Sequence, residues 1–267
     1  MTPEPFWIRL EDKDLSNHAR VAVKTSTLAI FKPMNIENSN ILITGGSSGI
    51  GKETAKQFIA KGAKVVITGR NENKLNEVAK EIGAIPLLFD ISDLSSIPQK
   101  AKEAINLLDG SIDTLVNNAG IGVFPELGEI TAQNLVDVYT TNVFGLALLT
   151  QEIVVPFKAQ NYGNIINIGS TASQKGFAKG SVYAASKFAV RGMTQSWQAE
   201  LRKDNIRVSL VNPSEVTTAF ANDSREEREE QSNKLGSEEI AHAIVSVVEM
   251  RDKGFVPEIT VWATNPF

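Results

Sequence analysis

The sequence contains no cysteine, and its two histidines, His18 and His242, stand far apart in the 267 residues. Disulfides, thiolate nucleophiles, Cys/His zinc sites and HExxH metal sites are thereby excluded, so catalysis must draw on Ser, Tyr, Lys or carboxylates. Excess positive charge is also missing. The 27 Lys+Arg against 31 Asp+Glu leave a formal net charge of -4, the wrong sign for a surface that holds a phosphate backbone, and no nucleic-acid partner is expected. There is no run of about 18 apolar residues. The N-terminus carries Glu4, Glu11, Asp12 and Asp14 ahead of only a broken apolar stretch, so neither a membrane span nor a secretory signal is read. The expectation is a cytoplasmic protein with no membrane partner.

What is present is ordinary globular composition, 42% hydrophobic and 22% charged, over a length suited to one large core. From residue 40 onward, short branched apolar runs alternate with stretches of helical period, the pattern of βαβ units on a parallel sheet. The fold class is α/β. Strands are predicted at Ile41 to Thr44, Lys64 to Thr68, Ile85 to Phe89, Thr114 to Asn117, Asn164 to Ile168, Arg207 to Val211 and near Glu258 to Trp262. Helices are predicted at Gly49 to Lys61, Asp93 to Leu108, Ala132 to Pro156, Ser181 to Arg202 and Glu238 to Met250. Residues 1–33 lack this rhythm and read as an appendage to a domain spanning 34–267, with Phe6, Trp7 and Phe31 available to dock on it. The charged stretch Asp223 to Glu230 reads as a solvated helix face.

The string TGGSSGIG, Thr44 to Gly51, follows the strand ILIT and opens a helix, the context in which a glycine-rich string has meaning. Gly45 permits a tight turn, Gly49 lets the backbone approach a pyrophosphate, and Gly51 lets the helix pack near the sheet. The helix start, with Ser47, Ser48 and Ile50, offers donors to an anion; a ligand-free Gly/Ser turn is the plain alternative. About 20 residues past such glycines, an acid selects a free ribose 2′-hydroxyl and an Arg accepts a 2′-phosphate. Here KVVITG runs into Arg70, 19 residues past Gly51, with no acid at Thr68, Gly69 or Arg70. NADP(H) is therefore favoured over NAD, unless Arg70 is merely a surface residue. Asp90, followed by Ile91, ends the third strand and is read as an acceptor for adenine or as a helix cap.

Tyr183 and Lys187 stand four apart in SVYAASK, hence on one helix face. A neighbouring ammonium favours tyrosinate and lowers the phenol pKa, and such a phenol can give its proton to a carbonyl as hydride arrives. Chance also produces Tyr-x-x-x-Lys, so the pair gains weight from Ser170, 13 residues earlier at the carboxyl end of a strand, where open α/β sheets bind ligands. In NNAG, Asn117 can brace loops while Ala119 and Gly120 leave room for a nicotinamide ring. Asn142 interrupts a strongly helical stretch and is read as serving a water or a neighbouring carbonyl. In NPSEVTT, Val216 and Thr218 are placed to clamp a carboxamide.

Together and in order, TGGSSGIG, NNAG, Asn142, Ser170, YAASK and NPSEVTT resemble the classical short-chain dehydrogenase/reductase family over residues 36 to 267. The resemblance implies a single Rossmann-type domain with a doubly wound parallel sheet of seven strands. It implies Tyr183 as proton donor, Ser170 as carbonyl orienter, Lys187 on the nicotinamide ribose and the tyrosine, and Asn142 holding a relay water. It also implies a homotetramer or homodimer, the tetramer built on the helices around Ala132 to Pro156 and Ser181 to Arg202. Two features depart from the family: Pro213-Ser214 replaces its usual Pro-Gly, and 40 residues precede Ile41, with Met34 resembling a family start.

Within the family the pattern is similar to 3-oxoacyl-acyl-carrier-protein reductases, so NADP(H)-linked reduction of a 3-oxoacyl thioester is the leading expectation. Another small ketone, diketone or sugar is the alternative. A carrier-bound substrate would need exposed cations, for which Lys158, Arg191, Arg202 and Lys203 are candidates. The polar segment Ala219 to Leu235 argues against a deep steroid pocket. A non-catalytic NADP-binding regulator is the alternative of another class, but it would have no need of Ser170, Tyr183 and Lys187 together.

Overall fold

Residues 35–218, 220, 231, 233–251 and 253–265 are described in the computed structural model. The expectations for residues 1–33 and for Asp223 to Glu230 lie outside them. Seven strands, β1 (Asn40–Ile43), β2 (Lys64–Gly69), β3 (Ile85–Leu88), β4 (Thr114–Asn117), β5 (Gly163–Ile168), β6 (Ile206–Pro213) and β7 (Glu258–Val261), form one sheet in the order β3-β2-β1-β4-β5-β6-β7. Every pairing is parallel. The order changes direction between β1 and β4, and the carboxyl edge at such a switch point is where open α/β sheets form their crevice.

Seven helices cover the faces: α1 (Gly49–Ala60), α2 (Glu72–Ile82), α3 (Ile97–Leu107), α4 (Ala132–Tyr139), α5 (Leu146–Gln160), α6 (Ser181–Leu201) and α7 (Ser237–Glu249). Alternate strand residues sort between two cores. Ile41, Ile43, Val65 and Ile67 pack with Phe58 of α1, Leu75 of α2 and Ile244 of α7. Leu42 and Val66 pack with Ala101 of α3 and Leu149, Ile153 and Phe157 of α5 on the other face. Burial on both faces is why these strands read as unbroken apolar runs rather than as alternation.

Two helices differ from expectation. No separate range is predicted for α2, whose apolar stripe is only Leu75, Val78 and Ala79; Asn71 caps its start and Gly83, at φ 78, its end. The helix predicted from Ala132 to Pro156 is interrupted by a π turn at Thr140–Gly145 and continues past Pro156 to Gln160. Phe157, one residue beyond the proline, is fully buried and anchors that continuation. By length and composition the 29-residue stretch 132–160 could cross a bilayer; here its Leu149, Ile153 and Phe157 are buried in the core shared with β1 and β2.

Candidate active site

β1 delivers the chain into the glycine turn. Gly45 and Gly49 have φ of 66 and 51, the left-handed region that favours glycine. A Cβ on Gly49 would lie 3.3 Å from the Thr218 Cγ2, so this glycine lets the segment after β6 close against the turn. Ser48 stands at the N-cap of α1 but makes no cap with its hydroxyl, the arrangement in which a bound anion can take that place.

A cleft of about 1020 Å³ runs from this turn along the carboxyl edge of the sheet. Gly45, Ser47, Ser48, Gly49, Ile50, Arg70, Asp90, Ile91, Ala119, Gly120, Ser170, Tyr183, Lys187, Val216 and Thr218 all line it. Gly51, Asn117 and Asn142 are not among its lining residues. Gly51 sits behind the turn, where a Cβ would fall 2.5 Å from the Asn118 Nδ2. At the far end Arg70 is joined by Lys74, a residue the sequence reading missed although it lies one turn into α2. Asp90 uses one carboxylate oxygen to accept from the Ser92 amide at 3.0 Å and hydroxyl at 2.7 Å, closing a local turn rather than capping a helix, since α3 begins only at Ile97.

Asn117, the first residue of NNAG and a candidate for the cofactor side of that motif, does not line the cleft. Its side chain is buried and donates to the Thr150 Oγ1 and the Asn167 Oδ1, both at 2.9 Å, tying β4 to β5 and α5. Asn118, just past the strand end, turns to the cleft instead and donates to the carbonyls of Thr44 and Gly45 at 2.9 and 3.0 Å, fastening the glycine turn. Only strand register distinguishes these two adjacent asparagines. The Asn142 side chain accepts from the Ile121 amide at 2.8 Å and donates to the Ile121 carbonyl at 2.9 Å and the Ser186 Oγ at 3.1 Å. It therefore holds a loop at the cleft from inside the π turn, a helix irregularity frequent at functional sites.

Ser170 follows β5 and opens a short 3₁₀ turn, with its Oγ accepting from the Ala172 amide at 3.1 Å. Its own amide donates to the Ser173 Oγ at 3.1 Å and the Asn212 Oδ1 at 3.2 Å. Asn212 donates in turn to the Glu258 Oε1 at 2.9 Å, and Glu258 also accepts from Gln174 at 2.8 Å and from the Arg191 Nε at 3.1 Å. Arg191 is thus committed to an internal network rather than available for docking an acidic carrier. Lys158 faces Glu200 at 3.7 Å, and Arg202 lies over the Phe255 ring at 5.3 Å. Ser214 has no positive φ and donates its amide to the Val261 carbonyl at 2.9 Å, so the Gly-to-Ser departure introduces no left-handed strain.

Tyr183 is buried, with its hydroxyl hydrogen-bonded to the Ser170 side chain. The buried Lys187 donates from Nζ to the Ile168 carbonyl at 2.8 Å and lies 5.8 Å from the centre of the Tyr183 ring. Burial pushes the phenol up to about 12 against the opposing pull of Ser170, and burial draws the Lys187 ammonium down to about 8. The lowering of the phenol pKa expected from the sequence is therefore reversed in this state. Desolvation of the buried hydroxyl is the dominant cause, and the Ser170 side chain opposes it only in part. The phenol is a protonated donor at neutral pH.

Three phenylalanines escaped the sequence reading because no motif contains them. Phe124 stands edge-on to Tyr183 with ring centres 5.4 Å apart, Phe220 is tilted against Tyr183 at 5.6 Å, and Phe177 lies 6.0 Å from Phe124. All three line the same cleft.

The short chain dehydrogenase family profile matches residues 39–229. The NADP-dependent 3-hydroxy acid dehydrogenase of Schizosaccharomyces pombe is 32% identical over 246 residues, covering 86% of this chain and 94% of that protein. The crystal structure of serine dehydrogenase from Escherichia coli is 26% identical with a TM-score of 0.73, covering 83% of this chain and 96% of that one. A metagenomic short-chain oxidoreductase solved in complex with NADP is 29% identical with a TM-score of 0.74, covering 85% of this chain and 98% of that one. With the glycine turn, the serine after β5 and the tyrosine and lysine of α6 gathered in one cleft, the chain belongs to the short chain dehydrogenase family.

Proposed function

We propose that the protein interconverts a ketone and a secondary alcohol with NADP(H). The observation that carries this reading is a single cleft with Arg70 and Lys74 at one end and Ser170, Tyr183 and Lys187 at the other. The glycine turn, the α1 start at which Ser48 makes no side-chain cap, and the two cations fit a dinucleotide with a 2′-phosphate. When bound, the reduced nicotinamide supplies the hydride. The chain supplies the proton: the Tyr183 hydroxyl gives it to the carbonyl oxygen, which Ser170 orients, and Lys187 would hold the cofactor ribose. Asn142 keeps the Ile121 loop in place at the cleft.

A 3-oxoacyl thioester is the finer reading. It is supported by the pattern of the chain and by a relative named for 3-hydroxy acids, which carry oxygen at the same carbon. Docking on a carrier has less support, because Lys203 is the only one of the four candidate cations without a partner among the described residues.

The test is oxidation of NADPH with an acetoacetyl thioester and a panel of diketones, in wild type and Tyr183→Phe. The variant should keep its NADPH affinity and lose about 10²- to 10⁴-fold in turnover. Turnover close to wild type would remove Tyr183 from the chemistry.

A further inference from the structure

The walls of the cleft beside Tyr183 are aromatic. Phe124, Phe177 and Phe220 surround the buried phenol, and Phe124 and Phe177 are 36% and 50% exposed. Large apolar side chains left partly open around a reactive group are a surface waiting to be covered. Gly122 lets two of these rings converge: a Cβ there would meet the Phe124 ring at 2.7 Å and the Phe220 ring at 3.0 Å. Ile121 and Ala172 complete an apolar lining on this side.

The charges around the cleft point the same way. Among its described lining residues the cations are Arg70, Lys74 and Lys187. Arg70 and Lys74 lie at the end of β2 and the start of α2, and Lys187 is buried against the Ile168 carbonyl. The carboxylates among the described lining residues are Asp90 and Glu215, and Glu215 is paired with Lys234 at 3.1 Å. Among the described lining residues, the wall of Phe124, Phe177 and Phe220 thus offers a substrate carboxylate no open cation.

We infer that the ring cage of Phe124, Phe177 and Phe220 selects uncharged ketones carrying a flat apolar group, above all an aryl ring, and rejects free oxo acids. This rests on the reductase reading above and departs from the acids in the names of the two relatives. Edge-on and tilted rings offer an inserted aryl group the offset contacts that aromatic pairs favour. A carboxylate entering among the rings loses water without gaining a cationic partner from the described ring wall.

The test uses the full chain, NADPH and three stable α-dicarbonyl substrates: methyl benzoylformate, benzoylformate and ethyl pyruvate. kcat/KM should be highest for methyl benzoylformate, at least about tenfold above both the free acid and the ring-free ester. Phe124→Ala should shrink the preference for the ring over methyl by about tenfold, towards equal rates, without changing NADPH affinity. The bulkier Phe124→Leu should fall between it and wild type. Equal rates for the ester and its free acid, or for ring and methyl, would overturn the inference and leave the reductase reading intact. No turnover with any of the three, while NADPH binds, would overturn both.

Discussion

Arg70 and Lys74 both face the cleft, and neither is ion-paired among the described residues. Two neighbouring cations with no protein counter-ion suit a dianion. Charge-assisted hydrogen bonds are worth roughly 1.5 to 3 kcal/mol, so Arg70→Ala should weaken NADPH by about 10- to 150-fold and leave NADH almost unaffected. The preference should also shrink with salt. kcat/KM for both cofactors measures this, and a ratio unmoved by the substitution would place Arg70 in solvent. Gly69 is a poor site for an introduced acid, because a Cβ there would lie 2.9 Å from the Ser47 Oγ. Arg70→Asp is the cleaner variant, and it should invert the preference.

Lys187 makes a prediction about stability. Its folded pKa of about 8 lies below the ordinary 10.5, so between those values the unfolded chain binds a proton that the folded chain has shed. Stability due to this group therefore rises with pH across the window and is lost as pH falls through about 8. The unfolding free energy of wild type relative to Lys187→Met should increase by roughly 3 kcal/mol over that range. Parallel curves in denaturant titrations would mean that the ammonium is solvated.

Among the elements, β7 reaches the chemistry indirectly, through a chain of hydrogen bonds to Ser170. Its Glu258 accepts from Asn212, Gln174 and Arg191, and Asn212 holds the Ser170 amide. Glu258→Gln puts a donor among donors. As a positioning residue, it should lower kcat by about tenfold through the unsatisfied group while KM for NADPH stays fixed. Glu258→Asp, which keeps the charge, should recover part of the loss; equal falls in both variants with reduced melting temperature would mark the contact as structural only. Legibility in the sequence also varies by element. The strands were legible because burial on two faces writes them as apolar runs. α2 was not, its stripe being three residues wide, and nothing in composition marks the π turn that lets Asn142 grip Ile121. β6 runs on to Pro213 because β7 pairs with it there, a partner about 50 residues away in the chain that no local pattern shows.

At the scale of the molecule, the carboxyl ends of β1, β4, β5 and β6 converge on one edge, and every residue named in the cleft lies at or beyond Gly45. A chain beginning at Met34 should keep its kcat/KM. Aggregation or a melting temperature lower by several degrees, read by light scattering and calorimetry, would show that Phe6, Trp7 or Phe31 covers an apolar patch. The residues that act on bonds were legible because their types and spacings are local, in SVYAASK and TGGSSGIG. The residues that shape the cavity were not: Phe124, Phe177 and Phe220 meet only after the sheet has brought three separate loops together.

The network ending at Glu258 also has a consequence for biosynthesis. β7 is the last of the seven strands to leave the ribosome, and it carries the carboxylate that braces Asn212 behind Ser170. A nascent chain arrested before Glu258 already contains the glycine turn, Tyr183 and Lys187, yet lacks the brace on its serine. The serine is therefore held as in the finished protein only when the final strand has docked.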